Sequence, residues 1–173
     1  MPITFHTADV KFTLKQKSRL KAFIHHQIIT TCPELVSGSS NRQIVNLGFI
    51  FCSDEYLRAI NKKFLNHDYY TDIITFPLSD NEQVLEGEIY ISIDRVRENS
   101  DKLKVISGKL KTKGGKQTQN LKLKTYNFNT ELHRVMFHGI LHLLGYKDKT
   151  KAQKAEMRKM EDKWLKKFEA DNS

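Results

Sequence analysis

Three β-rich segments in the first hundred residues constrain the fold of this chain more than any other feature. They cover residues 44–52, 72–77 and 86–94, and each is rich in β-branched and aromatic side chains. A polar turn around 79–83 separates the second segment from the third. Three segments of this kind predict a sheet with helices packed against it.

The spacing of apolar side chains predicts helices on both sides of the first β segment. The first helix covers 14–31, and its apolar residues at near-helical spacing are Leu20, Phe23, Ile24 and Ile28. The second begins after Ser53, which suits an N-cap, and its predicted buried stripe consists of Leu57, Ile60 and Phe64. Residues 34–43 are predicted to form a loop.

Two further helices are predicted near the end of the chain. One covers 129–144, with Asn129 or Thr130 as its N-cap and Gly145 as the residue that ends it. The other covers about 151–170 and carries an apolar stripe of Met157, Met160, Trp164 and Phe168. We expect that stripe to lie in the core rather than to form a groove for a partner.

The length of the chain predicts a single domain, and its positive charge favours partners rich in phosphate. At 173 residues the chain has the length of an ordinary domain, so residues 1–173 are predicted to form a single unit. Its 29 lysines and arginines against 20 acids give a formal charge of +9, which favours nucleic acids or anionic membrane surfaces, although a merely basic protein is the alternative. Cys32 and Cys52 form no C-x-x-C pair, and no apolar stretch is long enough to span a membrane, so we expect a cytoplasmic protein.

A lysine-rich segment precedes the helix predicted at 129–144. Residues 101–124 contain eight lysines and one acid around Gly114 and Gly115, which predicts an exposed insertion, with a hairpin of two short strands as one form. The segment is either a solvated loop or an arm that contacts phosphates. The candidate contacts of such an arm are Lys111, Lys113 and Lys116.

His138 and His142 lie one turn apart on the same face of a predicted helix. Cβ atoms at this spacing are about 5–6 Å apart, so both rings can bind one ion. Gly145 lets the chain reverse direction, which could bring Asp148 back as a third ligand. Three protein ligands with an open fourth position describe a catalytic rather than a structural zinc site. The alternative, that both are ordinary helix residues, is the usual one for a bare H-x-x-x-H pair; the apolar surroundings, the glycine and the acid favour the metal site.

The residue after the first histidine argues against a protease. Zinc metalloproteases carry H-E-x-x-H, in which that glutamate is the general base. Here the position is Gly139, so peptide hydrolysis by that mechanism has no obvious proton acceptor.

The run 138-HGILHLLGYKD-148 resembles the signature of the bacterial YbeY family of ribosomal RNA maturation endoribonucleases, H-G-x-L-H-L-x-G-Y-D-H. Both histidines, both glycines, the Leu-His-Leu core and Tyr146 are in register. Upstream, 71-TDIITFP-77 is similar to the family's T-D-V-L-S-F-P strand, and 87-GEIYIS-92 is similar to its G-D-I-x-I-S strand. The resemblance extends from about Leu47 to Trp164, and the lysine-rich insertion at 107–126 is longer than the family usually has.

Two positions depart from the family pattern. Asp148 stands where the family has its third histidine ligand; a carboxylate can bind zinc, but it lowers the net charge of the site and weakens the ion as a Lewis acid. Phe64 and Leu65 stand where the family has a Tyr-Arg pair whose arginine lines the cleft. Phosphate contacts must then come from other side chains, and the candidates nearby in sequence are Lys62, Lys63 and His67.

The resemblance implies an α+β fold with a mixed, roughly four-stranded sheet flanked by helices and a metal site on a central helix. It implies a zinc-dependent endoribonuclease that binds one Zn²⁺ per chain through His138, His142 and Asp148. Such an enzyme would cut single-stranded RNA in the maturation of the 3′ end of small-subunit ribosomal RNA and in ribosome quality control. Its partners would be ribosomal RNA, the small subunit and assembly factors. Asp72 and Glu88 are candidates for orienting a ligand histidine, although each could equally be an acid at a strand end.

Two other functions fit the same residues. A non-catalytic ribosome assembly factor with a structural zinc would need a fourth protein ligand, and His133 lies on a different helical face, five residues before His138. The other is a zinc hydrolase of a small substrate, and a loss of RNA affinity on neutralising the lysines of the insertion would count against it.

Overall fold

In the described residues, four strands and two helices come first along the chain, and three helices follow them. The computed structural model describes residues 2–31, 45–81, 84–109 and 127–170. Its elements, in chain order, are β1 (Ile3–Thr7), α1 (Lys17–Thr31), β2 (Val45–Cys52), α2 (Asp54–Leu65), β3 (Ile73–Pro77), β4 (Leu85–Ser92), α3 (Ile93–Lys109), α4 (Phe128–Leu143) and α5 (Lys151–Ala170). None of the helices in these ranges has the length and apolar character needed to cross a membrane.

The strands of the described residues form one sheet in the order β1-β2-β4-β3. β2 is parallel to both of its neighbours, β1 and β4, whereas β3 is antiparallel to β4. Along β4 every second residue is buried, which gives the strand one face that packs on the core. The predicted α+β class with a mixed, four-stranded sheet is therefore confirmed. The strand that the β-rich segments did not predict is β1, which forms an edge of the sheet.

Helix α4 lies at the centre of the packing. It contacts α3 and α5 as well as β3 and β4. Its aromatic residue Phe137 packs against rings from α1 and α5, with centroids 5.4 Å from Phe23 and 5.6 Å from Trp164. The buried apolar residues of the helix are Leu132, Val135, Met136, Phe137, Ile140 and Leu141. The helix that carries both histidines is thus held by neighbours on several sides.

Most of the predicted apolar stripes are buried, but that of α2 differs. Leu57 is fully buried and Ile60 partly, while Phe64 is 60% exposed. The helix buries Asn61 instead, one turn after Leu57, and the Phe64 ring packs edge-on against Phe76 of the outer strand β3, with centroids 5.7 Å apart. The prediction of Phe64 as a core residue is therefore wrong.

Two of the predicted residues at helix ends are confirmed, and the predicted N-cap of α4 is wrong. Ser53 caps α2 by accepting the Tyr56 N–H, and Gly145 follows α4 with φ +89°, a conformation that glycine adopts without strain. The N-cap of α4 is Asn127, whose side chain accepts the Thr130 N–H at 2.9 Å, and not Asn129 or Thr130. The helix begins earlier because the Asn127 amide oxygen is in the right place to satisfy that N–H group.

Residues 101–109, the first part of the lysine-rich segment, are helical, so the predicted insertion with a possible hairpin over 101–124 does not begin at 101. Helix α3 begins directly after β4, where the Ser92 hydroxyl accepts the Arg95 N–H at 3.1 Å, and continues to Lys109. Ion pairs at helical spacing support it, among them Lys102 to Glu98 at 2.8 Å. Lys111, Lys113 and Lys116 lie outside the described residues, as do most of the predicted insertion at 107–126 and the predicted loop at 34–43.

Replacing Gly139 by alanine should destabilise the fold, because α4 crosses the sheet closely at this residue. An added Cβ would lie 2.8 Å from Ile73 Cδ1 and 2.8 Å from Ile89 Cγ2. The Ile89 methyl is attached directly to the Cβ of a fully buried strand residue, so it cannot easily move aside. Overpacking costs about 1–3 kcal/mol, and the better helix propensity of alanine offsets at most about 1 kcal/mol. Urea unfolding should therefore show a net loss of up to about 2 kcal/mol.

Gly48 of β2 offers a matched control for this substitution. A Cβ added there would meet no atom closer than 3.7 Å, which is ordinary van der Waals contact. Gly48→Ala should leave the unfolding midpoint unchanged or slightly raised. Equal midpoints for the Gly139 and Gly48 variants would contradict the close packing of α4 on the sheet.

Candidate metal centre

Three side chains with metal-binding atoms converge beside the end of α4. His138 and His142 lie one turn apart on α4, and the turn at Gly145 brings Asp148 back toward them. The Nε2 atoms of the two histidines are 3.0 Å apart, and Asp148 Oδ2 lies 3.9 Å from Nε2 of His142. One ligand atom from each of the three lies within 4.8 Å of the others. All three are partly exposed, so the group is open to solvent.

The hydrogen bonds of the two histidines determine which ring nitrogens are free. Nδ1 of His142 lies 3.0 Å from the backbone carbonyl of Tyr146, and Nδ1 of His138 lies 2.8 Å from Oε1 of Glu161. A carbonyl oxygen and a carboxylate oxygen only accept, so each Nδ1 carries the hydrogen. In the neutral rings both Nε2 lone pairs then face one another with no hydrogen between them. Two such nitrogens with a nearby carboxylate fit a divalent cation such as zinc, because the ion would replace their repulsion by attraction.

A buried acid on α5 holds His138 in this orientation. Glu161 is only 2% exposed, and its second oxygen lies 3.2 Å from a guanidinium nitrogen of Arg134. Burial alone raises the pKa of Glu161, but the hydrogen bond from His138 and the charge of Arg134 outweigh it, so the pKa lies below its ordinary value. The carboxylate is therefore ionised while it accepts the His138 hydrogen.

Carboxylates from two helices neutralise the positive charge of Arg134. It binds Glu131, one turn earlier on α4, in a two-bond pair at 2.5 and 2.9 Å, and it reaches Glu161 on α5. Burial lowers the pKa of Arg134, but these two carboxylates raise it above the ordinary value. The side chains of Glu131, Arg134, Glu161 and His138 thus form one continuous chain of charged hydrogen bonds that ends at the candidate ligand.

His133 is not part of this group and packs beside the aromatic core. Its ring packs edge-on against Phe168 with centroids 4.8 Å apart, and burial lowers its pKa to about 4. Among the described residues, the three-residue group contains no fourth protein ligand. This leaves an open position of the kind that catalytic zinc sites have.

A cavity of about 710 Å³ opens beside the three candidate ligands. Of the residues predicted near the site, Asp72, His67 and Leu65 line it. Leu65, which stands where the resemblance places an arginine, is 44% exposed on this wall. Lys149 also lines the cavity and supplies a cation that the sequence reasoning missed, although it directly follows Asp148. Asp72 accepts a long hydrogen bond of 3.5 Å from Asn99.

Other predicted residues lie elsewhere. Glu88 is on the face of the sheet opposite to α4, where its carboxylate accepts the Tyr90 hydroxyl at 2.8 Å. The Lys62 ammonium is paired with Asp68 at 2.9 Å, and that of Lys63 lies 5.1 Å above the Phe64 ring. Neither lysine lines the cavity.

The partner of His138 was missed because Glu161 lies 23 residues away on another helix. A signal for it is present in the sequence. Glu161 falls at helical spacing between Met157 and Trp164, so a charged residue interrupts the apolar stripe of α5. A charge in such a stripe is buried, and a buried charge needs a partner.

The chain is similar over nearly its full length to known proteins. A family model described as Endoribonuclease YbeY matches residues 9–112 and 115–169. Curated proteins named Endoribonuclease YbeY are 39% identical over 160 residues in Cytophaga hutchinsonii, covering 92% of this chain and 91% of the relative. The one from Amoebophilus asiaticus is 37% identical, with coverages of 94% and 90%, and the one from Bacteroides thetaiotaomicron is 32% identical, with 95% and 98%. A solution structure of a Thermotoga maritima protein shares the fold with a TM-score of 0.54 at 21% identity, covering 97% of this chain and 91% of that one.

Proposed function

This chain belongs to the YbeY family of endoribonucleases, and from this premise we propose that it cuts single-stranded RNA with the help of one bound zinc ion. We further propose that its substrate is the 3′ end of small-subunit ribosomal RNA and that it takes part in ribosome quality control with the small subunit and its assembly factors. The observation that carries the proposal is the convergence of His138, His142 and Asp148 on one point at the edge of a cavity.

Zinc suits this set of donor atoms. Two neutral imidazoles and one carboxylate form a three-ligand set of the type found in catalytic zinc sites. When bound, the ion would supply Lewis-acid chemistry, since it makes a coordinated water more acidic and polarises a phosphoryl oxygen. Glu161 contributes by fixing the His138 ring so that Nε2 faces the other two donors.

Side chains around the cavity would hold the RNA backbone. Lys149 is on the cavity wall and carries a positive charge that a phosphate can pair with. His67 is on the same wall, whereas Lys62 and Lys63 would act from outside the cavity. We propose that these lysines and those of the insertion contact the RNA backbone without reading sequence. Asp72 lines the cavity, so its carboxylate could orient a ligand or a water molecule there, and we assign to Glu161 the orienting role that Glu88 was predicted to share.

Metal content and metal-dependent cleavage test the proposal together. The untagged protein should contain one zinc per chain by mass spectrometry. It should cut a single-stranded RNA, lose that activity in a chelator and regain it when zinc is added back. One zinc per chain without cleavage under any condition would favour a non-catalytic assembly factor, and a protein without metal would make His138 and His142 ordinary helix residues.

A further inference from the structure

Two stacked aromatic rings stand at the rim of the cavity beside the candidate ligands. His67 and Tyr69 come from the segment between α2 and β3, and their ring centroids are 5.1 Å apart with an angle of 24° between the planes. Both residues line the same cavity as His138, His142 and Asp148. Tyr69 is 55% exposed, and its hydroxyl lies 3.1 Å from Nδ1 of His67.

The segment that carries these rings is held in place by a buried polar residue. Asn61 of α2 is only 2% exposed, and its side-chain N–H donates to the Tyr69 carbonyl at 3.0 Å. The Asn61 carbonyl in turn accepts the His67 N–H at 3.3 Å. Asn66, between the helix and the segment, has φ +58°, the left-handed conformation that starts the turn. Both ring-bearing residues are therefore fixed through their backbones.

The residue between the two rings points away from them. The Asp68 carboxylate is bound by Arg58 at 2.8 Å and by Lys62 at 2.9 Å, both on α2. The hydrogen bonds from Lys62 and Arg58 lower the pKa of Asp68, so the ion pairs persist at neutral pH. Asp68 is thus bound to α2, whereas His67 and Tyr69, on either side of it, both line the cavity.

A pre-oriented, exposed pair of flat rings suits one kind of ligand in an RNA-cleaving enzyme. Unpaired bases of single-stranded RNA stack on aromatic and histidine rings, and because every base has a flat face such stacking tolerates any sequence. The neighbouring wall is apolar at Leu65, which is 44% exposed there. An apolar wall cannot pair with a phosphate, but it can pack against a base.

We propose that His67 and Tyr69 form a stacking platform for one unpaired base of the RNA, adjacent to the phosphate that meets the candidate metal centre. The platform rests on the proposed function of the site. Its role is to position the strand beside the apolar wall at Leu65. The ligand of the platform is the base itself and not the phosphate or the sugar.

The test pairs Tyr69→Ala with RNAs that lack a single base. A set of short single-stranded RNAs, each abasic at one position near the cleavage site, is compared with the intact RNA by fluorescence anisotropy, recorded before measurable cleavage. We expect one abasic position to weaken binding to the wild-type protein by about tenfold or more, the usual effect of losing one stacked base. Tyr69→Ala should weaken binding of the intact RNA by a similar factor and be insensitive to that abasic position. Tyr69→Phe keeps the ring and loses only the hydroxyl, which lies 3.1 Å from Nδ1 of His67, so it should remain sensitive to that abasic position.

Tyr56→Ala is the matched control, because Tyr56 is also exposed but does not line the cavity. Zinc content should be unchanged in all the variants. Wild-type affinity of Tyr69→Ala, or an equal loss on every abasic RNA, would overturn the platform. Binding is measured separately from cleavage, so the two proposals can fail separately. A wild-type protein that does not cut RNA would count against the proposed function. The platform is tested by whether the effect of Tyr69→Ala disappears on the RNA that lacks the critical base.

Discussion

Replacing His142 by alanine should remove the bound zinc and lower RNA cleavage by about a thousandfold or more, while the protein stays folded. The loss follows because Nε2 of His142 is 3.0 Å from that of His138 and 3.9 Å from Asp148, so its removal leaves two ligands out of three. A bound metal contributes several kcal/mol of transition-state stabilisation, which corresponds to a factor of this size. The fold should survive because His142 is partly exposed and gives up one hydrogen bond, worth about 1 kcal/mol, to the Tyr146 carbonyl.

The measurements are zinc per chain by mass spectrometry, the rate of cleavage with zinc in excess, and urea unfolding in the presence of a chelator. His26→Ala is the control, since His26 is an exposed histidine on helix α1, far from the cavity residues in sequence. Its zinc content and cleavage rate should equal those of the wild type. Unchanged zinc content in the His142 variant would mean that this residue is not a ligand.

Replacing Glu161 should affect both stability and metal affinity, and two variants separate these effects. Glu161→Ala leaves the buried Arg134 with one carboxylate instead of two and leaves the Nδ1 hydrogen of His138 without an acceptor. Breaking a buried ionic network in this way costs about 3–5 kcal/mol. Glu161→Gln keeps an oxygen that can accept from His138 and fills the same space, so its unfolding free energy should fall less.

Zinc affinity should decrease in both variants, by about 10- to 100-fold, the range found when a group that orients a metal-bound histidine is removed. Titration with a competing chelator measures this affinity, and urea unfolding without metal measures the stability. Glu156→Gln, on an exposed position of the same helix, should change neither. A zinc dissociation constant for Glu161→Gln within twofold of the wild type would show that the charge of this acid does not act on the site.

Residues close together in the sequence allowed much of the candidate centre to be predicted. The spacing of His138 and His142 determines that both face the same side of a helix, and the glycine at 145 permits the turn that returns Asp148. The sheet could be predicted because three of its strands carry β-branched and aromatic residues between turn signals. Local patterns of this kind depend only on near neighbours, so the sequence displays them directly.

The parts that escaped prediction depend on contacts between distant elements. Whether Glu88 or Glu161 faces a histidine depends on which face of the sheet receives α4 and how α5 crosses it. Phe64 fits an apolar stripe by spacing, yet α2 buries the polar Asn61 because that side chain anchors the next turn. The beginning of the lysine-rich segment looked like a loop, but it continues a helix that starts at the end of β4.

The buried chain from Glu131 through Arg134 and Glu161 to His138 joins two helices that meet late in the sequence. Because α5 supplies Glu161, the docking of α5 on α4 and the orientation of the His138 ring are linked equilibria. Thermodynamic reciprocity then requires that any affinity a metal ion gains from a correctly held His138 appears, with equal size, as added stability of the α4–α5 interface. The docking of α5 would thus report metal occupancy, with the open form less populated when the ion is present and more populated when it is absent.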